Sequence, residues 1–552
     1  MRRTLTSKTK LESLRKEAKR WLKALRAGDT AAMDRLKAAS PKAPPIPGLR
    51  DIQHALALEY GVSGWTALKA ALAEIGPASP SDADRLDTLL RHGWTGDIGA
   101  AGRILARHPE LARNTLYTAA TCGLIGEVEK HLARDPGAAT RTGGAMEWTA
   151  LAYVTYGRLD SEHAVPIARS LLAAGADPRF SFNDGWDNPF TLICGAIGLG
   201  EQNKPTHRQA AELVELLIDA GADAYDRQAL YNISVSGDDP GWYERLWQIS
   251  ERKGVTEAWR APDGGFLGKT MLDYLLGNAI GQNHIARAQW LLDRGANANT
   301  THAYTKQPLH KLAQLSGFHD LTILLEAHGA SPVRLTGPEA LIAAALRNDE
   351  GAVGAVLADS PGLIRDPHPL LAAAARGNAQ ATALLLAAGA DPHSVDGEGI
   401  SPLHRAVQAG SISVADLLIS AGAEVDLREK KWKGTPLSWA VVLRQPHMAE
   451  RLAPLSRDVR ALASLPDAAR LEAVFAAEPE LANHSLDTED APTPLYCLPD
   501  DDEAAVEIAE ILLRHGADPN ARNRRGQKPA AAARRRGLDD AADLIEDAAH
   551  GG

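Results

Sequence analysis

Several stretches carry residue types capable of chemistry. Gly264 to Thr270 ends in Gly-Lys-Thr, the ending of loops that cradle phosphate with backbone N–H groups at a helix start. The spacing does not support that chemistry. Asp263 stands where the leading glycine belongs, and no apolar strand precedes it. His310 and His404 are of the type that serves as a base or ligand, but both sit inside a recurring Pro-Leu-His phrase, where a hydrogen bond to neighbouring backbone accounts for the imidazole. Cys122, Cys194 and Cys497 are far apart and form no Cys-x-x-Cys pair, so neither a disulfide framework nor a thiolate zinc site is expected, and a reducing compartment suits them. Asp500-Asp501-Asp502-Glu503 offers carboxylates for a cation, yet acids after Pro499 at the start of a helix are accounted for by the helix dipole. The sequence assigns no catalytic residue, cofactor or metal.

The elements that would position these residues follow from a repeat. The phrase Leu-Leu-x-x-Gly-Ala-Asp/Asn recurs with variations, its glycine at Gly175, Gly221, Gly295, Gly329, Gly389, Gly422 and Gly516. Two intervals are direct: 329 − 295 = 34 and 422 − 389 = 33. A second phrase lies upstream, clearest at Ser401-Pro402-Leu403-His404-Arg405-Ala406, with partial copies at Gln307, Thr435, Thr493, Gly268 and Thr149. The hydroxyl caps a first helix, proline at its first position sacrifices no hydrogen bond, and Leu and Ala face the next unit. The paired leucines bury a second helix, which the glycine ends in a left-handed conformation. His108-Pro109, Asp135-Pro136, Ser360-Pro361 and Glu478-Pro479 read as degenerate unit ends, with proline as the stop.

The two linked phrases resemble the ankyrin repeat, whose pattern is T-P-L-H-x-A at a period near 33. The resemblance implies an all-α solenoid of helix pairs with short β-hairpin loops. Residues 84–552 are expected to hold roughly 14 units, with a polar C-terminal cap at 523–549 and insertions at 156–163 and 195–208. The first 75 residues form a separate helical module that looks like the leader ahead of some bacterial ankyrin-repeat proteins. Its first helix has an apolar stripe of Leu11, Leu14, Ala18, Leu22 and Leu25 and a basic opposite face from Arg15 to Arg26.

Composition agrees with short stacked helices. The hydrophobic share is 45% against 5% aromatic, and a net charge of −10 provides no global field for nucleic acid. No transmembrane or signal segment is read, and the expected location is the cytoplasm, as a monomer.

The resemblance further implies a non-catalytic protein-interaction scaffold, its partner held by hairpin tips and inward first-helix faces. Mapped here, those positions are Trp148, Tyr153, Tyr156, Trp186, Phe266, Lys269, Tyr274, Tyr304, Lys306, Glu398, Ile400, Arg405, Gln408, Trp432 and Trp439, with exposed aromatics expected as anchors. Two alternatives are a small-molecule or catalytic pocket in the irregular stretch 144–274, built from His163, Asp184, Asp187, His207 and Asp273, and a nucleic-acid or membrane contact through the basic first helix with Trp21 as anchor.

Overall fold

Helix starts and stops lie where the side chains demand them. Ser401 Oγ accepts the His404 N–H and Thr435 Oγ1 accepts the Ser438 N–H, capping the helices Pro402–Gln408 and Pro436–Val442. The second helices end at Gly389 and Gly422, with φ of 96° and 95°, where Ala390 N–H reaches back to Leu385 O and Ala423 N–H to Leu418 O. Thr493 departs from this pattern. Its phrase forms only the 3₁₀ turn Pro494–Tyr496, because Pro499 follows four residues after Leu495 and its ring would meet the carbonyl of a continuing helix.

The computed structural model describes residues 3–5, 9–41, 43–44, 47–75, 81–159, 162–183, 189–200, 204–263, 266–486 and 491–550. The chain divides into two compact units, one made of Met1–Ser79 with Thr336–Gly552 and the other of Pro80–Leu335. Among the described residues no helix is long and apolar enough to cross a membrane.

The unit Pro80–Leu335 stacks helix pairs from Asp82–Thr95 with Ile98–Arg107 to Leu309–Leu315 with His319–Ala327. Among the described residues three two-stranded antiparallel hairpins precede its first helices: Thr142–Gly143 on Trp148–Thr149, Ser181–Phe182 on Phe190–Thr191, and Pro262–Asp263 on Lys269–Thr270.

In the other unit the first helices Gly337–Leu346, Pro367–Ala375, Pro402–Gln408, Pro436–Val442 and Val459–Ala463 pack successively on one another. The second helices Ala379–Ala387 and Ile412–Ser420 do likewise. Alanine at the inner contacts (Ala373, Ala406, Ala440, Ala461) lets these short helices approach closely, and leucines of the second helices (Leu385, Leu418, Leu452) fill the layer behind.

The helical module at residues 9–75 belongs to this same unit. Its helices Leu49–Glu59 and Trp65–Ile75 lie against Asp502–Arg514, a second helix of the repeat stack, and their buried residues share one apolar cluster with the repeats. Trp65 Nε1 donates to Asp540 Oδ2 at 2.8 Å, Arg15 Nε to Asp540 Oδ1 at 2.6 Å, and Lys69 Nζ to Asp502 Oδ2 at 2.7 Å. Glu503 accepts the Thr66 N–H, Glu507 pairs with Arg50, and Glu510 accepts the Leu49 N–H. These acids recur along one face of their helix, so the module docks on an acidic stripe. Two sequence expectations change accordingly. Arg15 and Lys19 of the basic face pair with Asp540 and Asp547, and Trp21 is no exposed anchor, because it is buried and donates to Ala32 O. Asp540, on the expected polar cap, is only 3% exposed.

Candidate functional site

The short first helices and the hairpin tips before them frame a cleft of about 590 Å³ in the repeats of the discontinuous unit. One wall is the tip Glu429–Gly434, and its shape comes from a carboxylate. Glu429, 1% exposed, accepts the N–H groups of Lys431, Trp432 and Gly434, while its own N–H donates to Gly434 O. Asp396 and Asn523 do the same in their tips, each accepting two later N–H groups. From Glu429 to its helix cap Thr435 is six residues, against five from Asp396 to Ser401, and Lys433 takes φ 58° where the shorter tip has Gly399 at 78°. Glu429→Ala leaves three N–H groups without their acceptor and is expected to cost about 1–3 kcal/mol, with Glu429→Gln between it and the unmodified chain in a denaturant titration.

The floor and far wall come from the helices Pro436–Val442 and Val459–Ala463. Thr435 Oγ1 donates to Asp458 Oδ2 at 2.7 Å, and Asp458 caps Val459–Ala463 while pairing with Arg428 at 3.1 Å. Ser438 donates to Thr435 O, Ser464 to Arg460 O, and Arg460 to Ala491 O. Burial pushes the Cys497 thiol up, which keeps it protonated at neutral pH. With those groups engaged, the cleft offers apolar surface from Trp439, Val441, Val442, Leu443 and Ala461 beside a cationic tip. Trp432 is 63% exposed, Val442 79% and Leu443 46%.

Residues 370–462 match the family model for ankyrin repeats in three copies, and residues 493–524 match that for a single ankyrin repeat. These segments are ankyrin repeats. No curated protein matches the chain. The cleft opens on the ankyrin repeats, between the tip before one first helix and the first helix that follows. His404 has the place of the histidine in the repeat phrase: its Nε2–H donates to Gly434 O at 3.1 Å and its ring meets Trp439 edge-on at 5.0 Å, tying one ankyrin unit to the next hairpin. Burial lowers its pKa and keeps it neutral. His310 likewise accepts the Val333 N–H at Nδ1 and donates to Glu326.

The residues singled out by the repeat phrase fall into three groups. Gln408, Trp432 and Trp439 line the cleft; Arg405 holds Gln408 and pairs with Asp396, while exposed Glu398 and half-buried Ile400 lie on the neighbouring tip, whose Glu398 O accepts the Lys430 N–H. In the unit Pro80–Leu335, Tyr304 is 63% exposed with its hydroxyl on Tyr274, Lys269 donates to the Thr300 and Thr301 hydroxyls, and Lys306 to Ala303 O.

The third group corrects the expected anchors. Trp148, Tyr153, Tyr156, Phe266 and Tyr274 are buried. Trp148 stacks on Phe182 at 4.6 Å between Tyr153 and Tyr156, Tyr156 donates to Thr191 O, and Phe266 packs on Tyr274 at 4.6 Å. Each ring is enclosed by neighbouring rings of its own hairpin or of an adjoining repeat, which makes it core. Trp186, like Asp184 and Asp187, lies outside the described residues. Of the other members of the expected pocket, His207 is buried with Nδ1 accepting the Gln209 N–H, His163 is exposed, and Asp273 accepts the Asn297 N–H. None of these three lines the cleft of about 610 Å³ around Asp226 and Arg179 in that unit.

The repeat phrase alone did not reveal Val442, Leu443 and Arg444. Laying Pro436-Leu437-Ser438 on Pro402-Leu403-His404 sets these three opposite Gln408, Ala409 and Gly410. Arg444 holds φ 54° where its counterpart is glycine at 66°, so that alignment carries the signal.

Proposed function

We propose that this chain is a protein-interaction module whose partner seats across the first helices and hairpin tips around Trp432 and Trp439. The observation that supports the reading is the company of Trp432, Val442 and Leu443, three large apolar side chains left in water at the mouth of one apolar cleft. A patch of this kind, with an aromatic at its centre, is the anatomy of a binding hot spot. The helical module docks on second helices of the repeats, so its contacts leave the cleft's lining uncovered. Cys122, Cys194 and Cys497 form no disulfide, which suits a reducing cytoplasm.

Photo-crosslinking tests the reading. A p-benzoylphenylalanine at Val442 should trap a discrete partner in extract, and the same group at Glu450, an exposed position on the following second helix, should not. Trp432→Ala is expected to weaken capture by about thirtyfold, the equivalent of 2 kcal/mol, while shifting stability by less than about 0.5 kcal/mol. Equal crosslinking from both positions, or full retention by Trp432→Ala, would overturn it.

A further inference from the structure

The tip that carries Trp432 also carries a charge excess. Arg428, Lys430, Lys431 and Lys433 surround a single acid, Glu429, in a chain whose net charge is −10. Glu429 is sealed against backbone N–H groups, and Arg428 faces the buried Asp458. Lys430 Nζ rests on Gly397 O, a carbonyl of the neighbouring tip, whose exposed acid is Glu398. Among the described residues no carboxylate pairs with Lys431, Lys433 or Arg444. Lys431 Nζ stands 4.3 Å from the Trp432 ring centroid, so cation and aromatic form one surface. Lys433 and Arg444 are both held at positive φ by tight turns that display their side chains.

On the strength of the groove-binding reading above, we propose that the cleft receives an extended acidic peptide segment with one bulky apolar side chain, seated against Trp432, Trp439 and Val442 and flanked by carboxylates on Lys431, Lys433 and Arg444. Neighbours on the same side of an extended strand are about 7 Å apart, which suits an apolar anchor with acids one or two places away. Uncompensated cations beside a desolvating apolar wall favour the carboxylate sign and penalise a basic segment. Single-stranded nucleic acid fits less well. Beside the Trp432 and Trp439 rings the wall of Val441, Val442, Leu443 and Ala461 is aliphatic and offers no further flat ring for successive bases to stack on.

Fluorescence polarisation on the full chain tests this with labelled short peptides that share a central Phe and carry Glu, Gln or Lys around it, and with a uridine oligonucleotide. The Glu peptide should bind about tenfold tighter than the Gln peptide and weaken as salt is raised. Lys431→Glu combined with Lys433→Glu should abolish that preference and turn it toward the Lys peptide. Both side chains are exposed, so an unchanged melting temperature is the accompanying control. Equal affinity for Glu and Gln peptides, indifference to the charge reversal, or tighter binding of the oligonucleotide would overturn the proposal. If Trp432→Ala still weakens the Gln peptide, the groove reading stands and only the acidic preference falls; if Trp432→Ala changes no peptide's affinity, both fall.

Discussion

A chain lacking residues 9–75 should lose amide protection in the helices Asp502–Arg514 and Asp539–His550 while Pro402–Gln408 and its neighbours keep theirs. The module and these helices bury one continuous apolar cluster, in which Ile52, Leu56, Trp65 and Leu68 are fully buried beside Leu512 and Ile545. Exposing the repeat side chains of that cluster, Leu512 and Ile545 among them, costs about 1.5–3 kcal/mol each. The deletion also strips Asp540 and Asp502 of Arg15, Trp65 and Lys69. A milder version is Trp65→Ala, which removes a buried indole together with its hydrogen bond and is expected to cost about 3–5 kcal/mol. Hydrogen exchange read by mass spectrometry locates the loss. Because neighbouring repeats stabilise one another pairwise, it should be graded along the stack. Unchanged protection of the two C-terminal helices would show that the module is an ornament.

Trp148→Ala should destabilise the unit Pro80–Leu335 by about 3–5 kcal/mol, the range for emptying an aromatic site in a packed core. Trp148 touches Trp94, Tyr153, Tyr156 and Phe182, so the cavity would open among rings drawn from three different repeats. Intrinsic fluorescence during guanidinium unfolding measures the change. The comparison with Trp432→Ala is the informative part: Trp148 lies in the strand directly before its cap Thr149 and Trp432 in the turn three residues before Thr435, and the first substitution should lower stability and spare binding, the second the reverse. A Trp148→Ala chain of undiminished stability would return that residue to the surface.

These two tryptophans also show how far the sequence could be read. Capping hydroxyls, helix-ending glycines and paired leucines act on residues three to five positions away, so the repeated phrases disclosed the stack of helix pairs directly. Whether an aromatic in a hairpin turns inward depends on the adjoining repeat. Trp148 is roofed by Phe182, a contact no local phrase encodes, whereas Trp432 sits in a tip one residue longer than its neighbour and is turned out to solvent. The docking of the helical module was illegible for a related reason. Its basic face and the acids of Asp502–Arg514 each have a sufficient local explanation, as a solvated stripe and a dipole partner, and only the fold brings the two together.

The bond between Trp65 and Asp540 spans 475 residues, with the whole unit Pro80–Leu335 between its ends. During synthesis the module emerges long before the helices that receive it, and by the time they follow, the intervening unit has had all its residues available to fold. Until then Leu56, Leu68 and Trp65 present a sticky face that depends on chaperones or on the rest of the module for concealment. Growth from one end, the natural route for a linear array, is therefore not open to this half of the protein: its earliest segment is among the last to be locked in place.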